Sequence, residues 1–161
     1  FIDGFLLGGR PRLARALRVL THPITGGLIF TMCFSMWHFP ELYEAALRSR
    51  PLHVLEHWSM FLPAILMVWP LFSMSAQLPR IGYGQAMFYC FALMIADLPI
   101  WAVLIFGDHP IYETYRLAPR ISELSASADM IMGAVVMKGF NEVFALGCMA
   151  YAFFAWYQRD R

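Results

Sequence analysis

Residues 83–106 read YGQAMFYCFALMIADLPIWAVLIF, a run in which Asp97 is the only charged side chain. A bilayer's hydrocarbon core is about 30 Å thick, so a helix rising 1.5 Å per residue needs about 20 apolar residues to cross it. This run is long enough. Three further stretches are apolar enough to join it: 23–39, bounded by His22 and His38; 53–74, which contains Pro63 and Pro70; and 128–157. In water Pro63, Pro70 and Pro99 would each interrupt a helix. Inside a bundle, neighbouring helices satisfy the freed carbonyls, so kinks are expected in place of breaks. The fold class is therefore all-α, a polytopic membrane helical bundle with four transmembrane helices, and 1–161 reads as one unit.

Composition agrees with this. Of 161 residues 60% are hydrophobic and 14% charged, against about 25% charged in an ordinary soluble domain. Lys+Arg 12 against Asp+Glu 11 leaves a net charge of +1. That balance gives no basic excess for nucleic acid, and the apolar content excludes a disordered chain. Cys33, Cys90 and Cys148 stand singly in apolar runs, with no CxxC pair, and read as packing residues.

The segment 1–22 carries Arg10, Arg12, Arg15 and Arg18, and 12–20 reads as a basic amphipathic helix on the membrane lipid surface. The link 40–50 holds a short helix with Glu41 and Glu44 near its start; the link 77–82 is tight. Ser125 or Ser127 can cap the last helix, and Asp129 adds charge to its first turn. The N-terminal segment, the 77–82 link and the C-terminus share one side of the membrane, with Arg10, Arg12, Arg15, Arg18, Arg80, Arg159 and Arg161. The other side has fewer basic residues, Arg48, Arg50, Arg116 and Arg120, and adds Glu41, Glu44, Asp108, Glu113 and Glu123. The excess of arginine marks the first side as cytoplasmic and turns the second to the periplasm or outside.

Histidines collect at that second side: His38 ends the first span, His53 and His57 begin the second, and His109 lies in the third link. His22 stands at the opposite end, about 24 Å from His38 along a helix. At 100° per residue, His53, Glu56, His57 and Met60 form one stripe. The last span brings Asp129, Met130, Met132 and Met137 to the same level. Imidazole with thioether suits copper, and imidazole with carboxylate suits zinc or oxidised copper. Three readings compete for these residues. One is a metal site on His38, His53 and His57. The second takes His53-Val-Leu-Glu56-His57 as an inverted zinc-protease motif, with Glu56 as base, but no third ligand is evident. The third is b-type haem held by two histidines, although these stand at helix ends. Asp97 reads as a packed, satisfied carboxyl, and Lys138 and Glu142 as an i, i+4 pair.

His22-Pro23, Trp37-His38-Phe39-Pro40, Leu42-Tyr43, Ala45-Ala46-Leu47, Leu52-His53, Glu56-His57 and Trp69-Pro70 together resemble the CtaG-type cytochrome c oxidase assembly factors. Pro110, Tyr112, Tyr115, Ala128-Asp129, Gly133 and Met137 continue the same order. The resemblance implies a multi-pass protein of the bacterial plasma membrane, not an enzyme, with further helices ahead of Phe1. It implies a role in maturing the copper centre of a haem–copper oxidase, and copper ligands at His38, His53, His57, Asp129 and Met137, with His22 a weaker match. Glu56 would hold the other nitrogen of one imidazole. Met130 and Lys138 depart from the family's Asp-Gln and Met-Trp pairs. That departure keeps open an alternative: a metal-free accessory subunit packed against a respiratory oxidase or another respiratory complex.

Overall fold

The computed structural model describes residues 2–5, 8–107, 109–119 and 123–161. Asp108 and Arg120, two of the charges used for orientation, lie outside these, as does Phe1. The described residues form helices α1 (Ile2–Phe5), α2 (Pro11–Leu20), α3 (Pro23–Trp37), α4 (Pro40–Arg48) and α5 (Arg50–Phe72). The chain continues through α6 (Tyr83–Ala96), α7 (Leu98–Phe106), α8 (Glu113–Leu117) and α9 (Ala126–Arg159). No strand occurs among them, only an isolated bridge between Met74 and Pro79. Proline stands in the first turn of α2, α3, α4, α5 and α7. There its missing N–H removes no intrahelical bond and its fixed φ suits the start. Ser125 caps α9, its hydroxyl accepting from the Ala128 amide at 3.2 Å, as the sequence allowed.

Among the described residues three helical stretches are long and apolar enough to cross a membrane: Arg50–Phe72, Tyr83–Phe106 and Ala126–Arg159. The first expected span differs. α3 has 15 residues, about 22 Å of helix, and qualifies only together with α2, from which it is bent by 64°. The described residues thus hold three candidate spans, or four where the bent pair crosses as one. The stop at Trp37 comes from Pro40. The residue before a proline is pushed out of helical geometry, and Phe39 is extended at φ −68° and ψ 132°. Large apolar side chains cover the outside: Phe140 is 79% exposed and Phe88 74%. In a chain with membrane spans such faces meet lipid.

The prolines are accommodated by neighbours. α5 runs unbroken through Pro63 and Pro70. Pro70 lacks the N–H that would bond the Leu66 carbonyl, and buried Gly26 of α3 comes up against that carbonyl, so closely that a Cβ there would stand 2.7 Å from its oxygen. One residue on, the Tyr89 hydroxyl of α6 donates to the Met67 carbonyl at 2.9 Å, and the Ile81 amide donates to the Pro70 carbonyl at 2.9 Å. Pro99 acts differently. The helix breaks at Asp97, whose carbonyl accepts from Ile100 and Trp101 at the start of α7.

Contacts sort the links into the two ends anticipated. At the arginine-rich end Asp3 accepts from the Ser75 hydroxyl and from the Ala76 amide, the latter at 2.8 Å. At the other end the Tyr112 hydroxyl donates to the His38 carbonyl at 3.2 Å. The Tyr43 and Tyr115 hydroxyls lie 2.9 Å apart there.

Candidate functional site

α5 begins at the histidine-bearing end and sets His53, Glu56 and His57 on successive turns. Spacing of four residues puts the two imidazoles on one face. Their Nε2 atoms lie 3.1 Å apart, with the ring planes nearly perpendicular at 88°. Both histidines are exposed, whereas Glu56 turns inward and is buried. One Glu56 oxygen lies 3.5 Å from His53 Nδ1. A carboxylate there favours the proton on Nδ1 and leaves the Nε2 lone pair for a ligand.

His38 sits at the end of α3, and its ring is fixed by a different partner. Its Nδ1 lies 2.7 Å from the Phe34 carbonyl. A carbonyl only accepts, so Nδ1 carries the proton and Nε2 is free to accept or to ligate. The ring packs on Phe34, 4.2 Å between centroids, and edge-on to Trp101 at 6.4 Å. Beside it opens a cavity of about 300 Å³, which Asp129, Met130 and Met137 of α9 line together with Tyr43 and Tyr112. Met130 sulfur already accepts from the Ile111 amide at 3.5 Å. Burial pushes the Tyr112 hydroxyl up to about 12, so at neutral pH it remains a donor to the His38 carbonyl.

The sequence-predicted residues therefore fall into two groups. His53 and His57 are together, with Glu56 behind them. His38, Asp129 and Met137 share the cavity on the α9 side. Glu56 lies between, within electrostatic reach of His38, Tyr43 and Tyr112. Among the described residues no three His, Cys, Asp or Glu side chains are gathered closely enough to hold one metal ion. The compact triad of His38, His53 and His57 is thus not assembled in this arrangement. The reason is geometric: α4 separates the end of α3 from the start of α5, and His38 turns toward Phe34 and Trp101. His22 precedes the far end of α3, where its carbonyl accepts from the Gly26 amide at 2.8 Å, and stands apart from both groups. The protease motif likewise has its two histidines adjacent, but its glutamate faces inward.

A family model described as cytochrome c oxidase caa3 assembly factor matches residues 7–159. The chain belongs to that family. No curated protein and no solved structure matches it. Family membership assigns the chain to oxidase assembly, and its apolar spans make it a membrane protein. The matched residues run from before α2 to the last turn of α9, so both histidine groups and the α9 residues fall inside the family region.

Two polar clusters escaped sequence reading. One is mid-bundle: Lys138 Nζ lies 2.7 Å from Asp97 Oδ1 and 2.5 Å from Glu142. The helical i, i+4 pair was legible, but its third member, Asp97 at the break between α6 and α7, was not. The other ties α4 to α8 at the histidine end. Glu44 accepts from the Thr114 amide at 2.9 Å and from its hydroxyl at 2.5 Å. The Thr114 hydroxyl and amide, and then Arg48, hold the Glu44 carboxyl below its ordinary value of 4.5. A depressed carboxyl contributes stability that is complete above the unfolded value and lost as pH falls through the folded one. The Thr114 amide should therefore be protected from hydrogen exchange at pH 7, and lose protection (after correction for intrinsic rate) only below about pH 4.5. In Glu44→Gln protection is weaker at pH 7 and flat with pH; unchanged protection would dissolve the link.

Proposed function

We propose that the chain binds copper at the histidine-bearing end of the bundle and supplies it to the copper centre of a haem–copper cytochrome c oxidase. That end would face the periplasm of the bacterial plasma membrane. The supporting observation is the 3.1 Å separation of the His53 and His57 Nε2 atoms. Two imidazole nitrogens about 2 Å from one first-row ion stand about 3–4 Å apart. The α5 helix itself sets this spacing, and Glu56 at 3.5 Å favours the ligating tautomer of His53. His38 offers a further free Nε2, and Asp129 and Met137 on α9 add carboxylate and thioether donors, a set that suits copper. The His53–His57 pair is exposed rather than enclosed. Cargo held by few ligands at an open surface can be approached by the ligands of a recipient, and delivery requires that.

Copper retention tests this. Protein purified without oxygen and loaded with Cu(I) should hold about one ion per chain. The double variant His53→Ala, His57→Ala should lose it and lower active oxidase in cells, while His109→Ala retains it. Full retention by the double variant would overturn the reading. So would a stoichiometric, metal-free association with the oxidase, the mark of an accessory subunit.

A further inference from the structure

We propose that the open groove between α3 and α6 holds the acyl chain of an anionic phospholipid, in the leaflet that the arginine-rich end faces. The groove encloses about 1220 Å³, more than the roughly 300–1,000 Å³ typical of small-molecule pockets. Arg18, Thr21, His22 and Gln85 line it toward the arginine-rich end, and Leu28 and Ala92 line it further along the helices.

Depth identifies the occupant. Along α6 the groove lining runs from Gly84 to Ala96, about 18 Å of helix. One leaflet of the hydrocarbon core is about 15 Å thick. The lining on α6 stops where that helix breaks at Asp97. A transmembrane helix from another protein would need a track through both leaflets, and this groove serves one. Charge identifies the headgroup. Arg18 has no carboxylate partner among the described residues, and Arg12 and Arg15 on the same surface helix add to its field. Basic side chains at a membrane interface attract anionic headgroups at about 1 kcal/mol each, which is about five-fold in affinity. Thr21 is already committed to the Leu17 carbonyl, so Arg18 is the cation that meets the phosphate.

Purified protein in mild detergent is titrated with phosphatidylglycerol or phosphatidylcholine, and native mass spectra and melting temperatures are recorded. The wild-type chain should retain phosphatidylglycerol and melt higher with it than with phosphatidylcholine at equal mole fraction. Arg18→Gln, at an exposed position, should weaken phosphatidylglycerol retention about five-fold. Ala92→Trp, which fills the groove from an exposed helix face, should abolish retention while leaving helix content at the wild-type level. Equal response of the wild type to both lipids would overturn the proposal. So would undiminished retention in a folded Ala92→Trp variant, or a copurifying polypeptide that this variant displaces in the absence of bound lipid.

Discussion

Lys138→Met should lower the stability of the bundle by about 3–5 kcal/mol, the cost of breaking a desolvated ion pair from one side. The ammonium lies 2.7 Å from Asp97 and 2.5 Å from Glu142, and also donates to the Met94 carbonyl at 3.1 Å. Asn141 donates to the second Asp97 oxygen at 2.8 Å. Lys138 and Asp97 are only 15% and 14% exposed, and they sit at the depth where α6 breaks into α7. There one cation serves two carboxylates and one carbonyl, so methionine removes the cation from all three, and Asp97 keeps only its bond from Asn141. Burying a carboxylate without a partner is the dominant cost. The double variant Asp97→Asn, Lys138→Met removes one of the two carboxylates left without a cation while keeping a carbonyl for Asn141, and should recover part of the loss. Thermal melts in detergent measure both. Equal melting of wild type and Lys138→Met would show that water already reaches the cluster, and would remove its role in joining α9 to the break.

The helices themselves were legible because hydropathy and proline placement are local. The short basic helix α2, the short helix after Pro40 and the Ser125 cap all follow from residues within a few positions of each, whereas the full break at Asp97, where a kink was expected, does not. The end of the first apolar stretch is less legible, for a physical reason. A hydropathy window sees an apolar run through Phe39, but the chain leaves the helix after Trp37 because Pro40 forces its predecessor into extended geometry. Of the site, the His53–His57 pair was legible because helical spacing alone brings the rings together. The placing of His38 with Asp129 and Met137 depends on how far α9 is rotated against α3 and α7, and no local pattern encodes that rotation. The same holds for Asp97 and Lys138. Each was recognisable as a costly group in lipid, yet their pairing joins the break between α6 and α7 to α9 across the bundle.

Gly26→Leu should be the most damaging single change at the interface of α3 with α5, and Gly26→Ala alone should cost about 1–3 kcal/mol by overpacking. A Cβ at position 26 would stand 2.7 Å from the Leu66 carbonyl oxygen, 3.0 Å from its carbon and 3.3 Å from the Leu20 carbonyl oxygen. All three are backbone atoms in helices, so none yields without shifting α3 as a body. The adjacent glycine provides the contrast. A Cβ at Gly27 would meet only side-chain atoms of Tyr89 and Leu93, at 3.3 Å, and these give by a few tenths of an ångström. Alanine also gains up to about 1 kcal/mol of helix propensity over glycine, which offsets most of that strain, so Gly27→Ala should melt within a few degrees of wild type. Moving α3 has a second consequence. α3 ends at His38 while α5 begins beside His53, and the Trp37 indole donates to Ser59 at 2.7 Å to hold those ends together. Gly26→Ala should therefore disturb the Trp37 environment at temperatures well below its melt, seen as altered tryptophan fluorescence that Gly27→Ala leaves alone. Equal melting of the two alanine variants would mean that α3 does not need to approach the Leu66 carbonyl this closely.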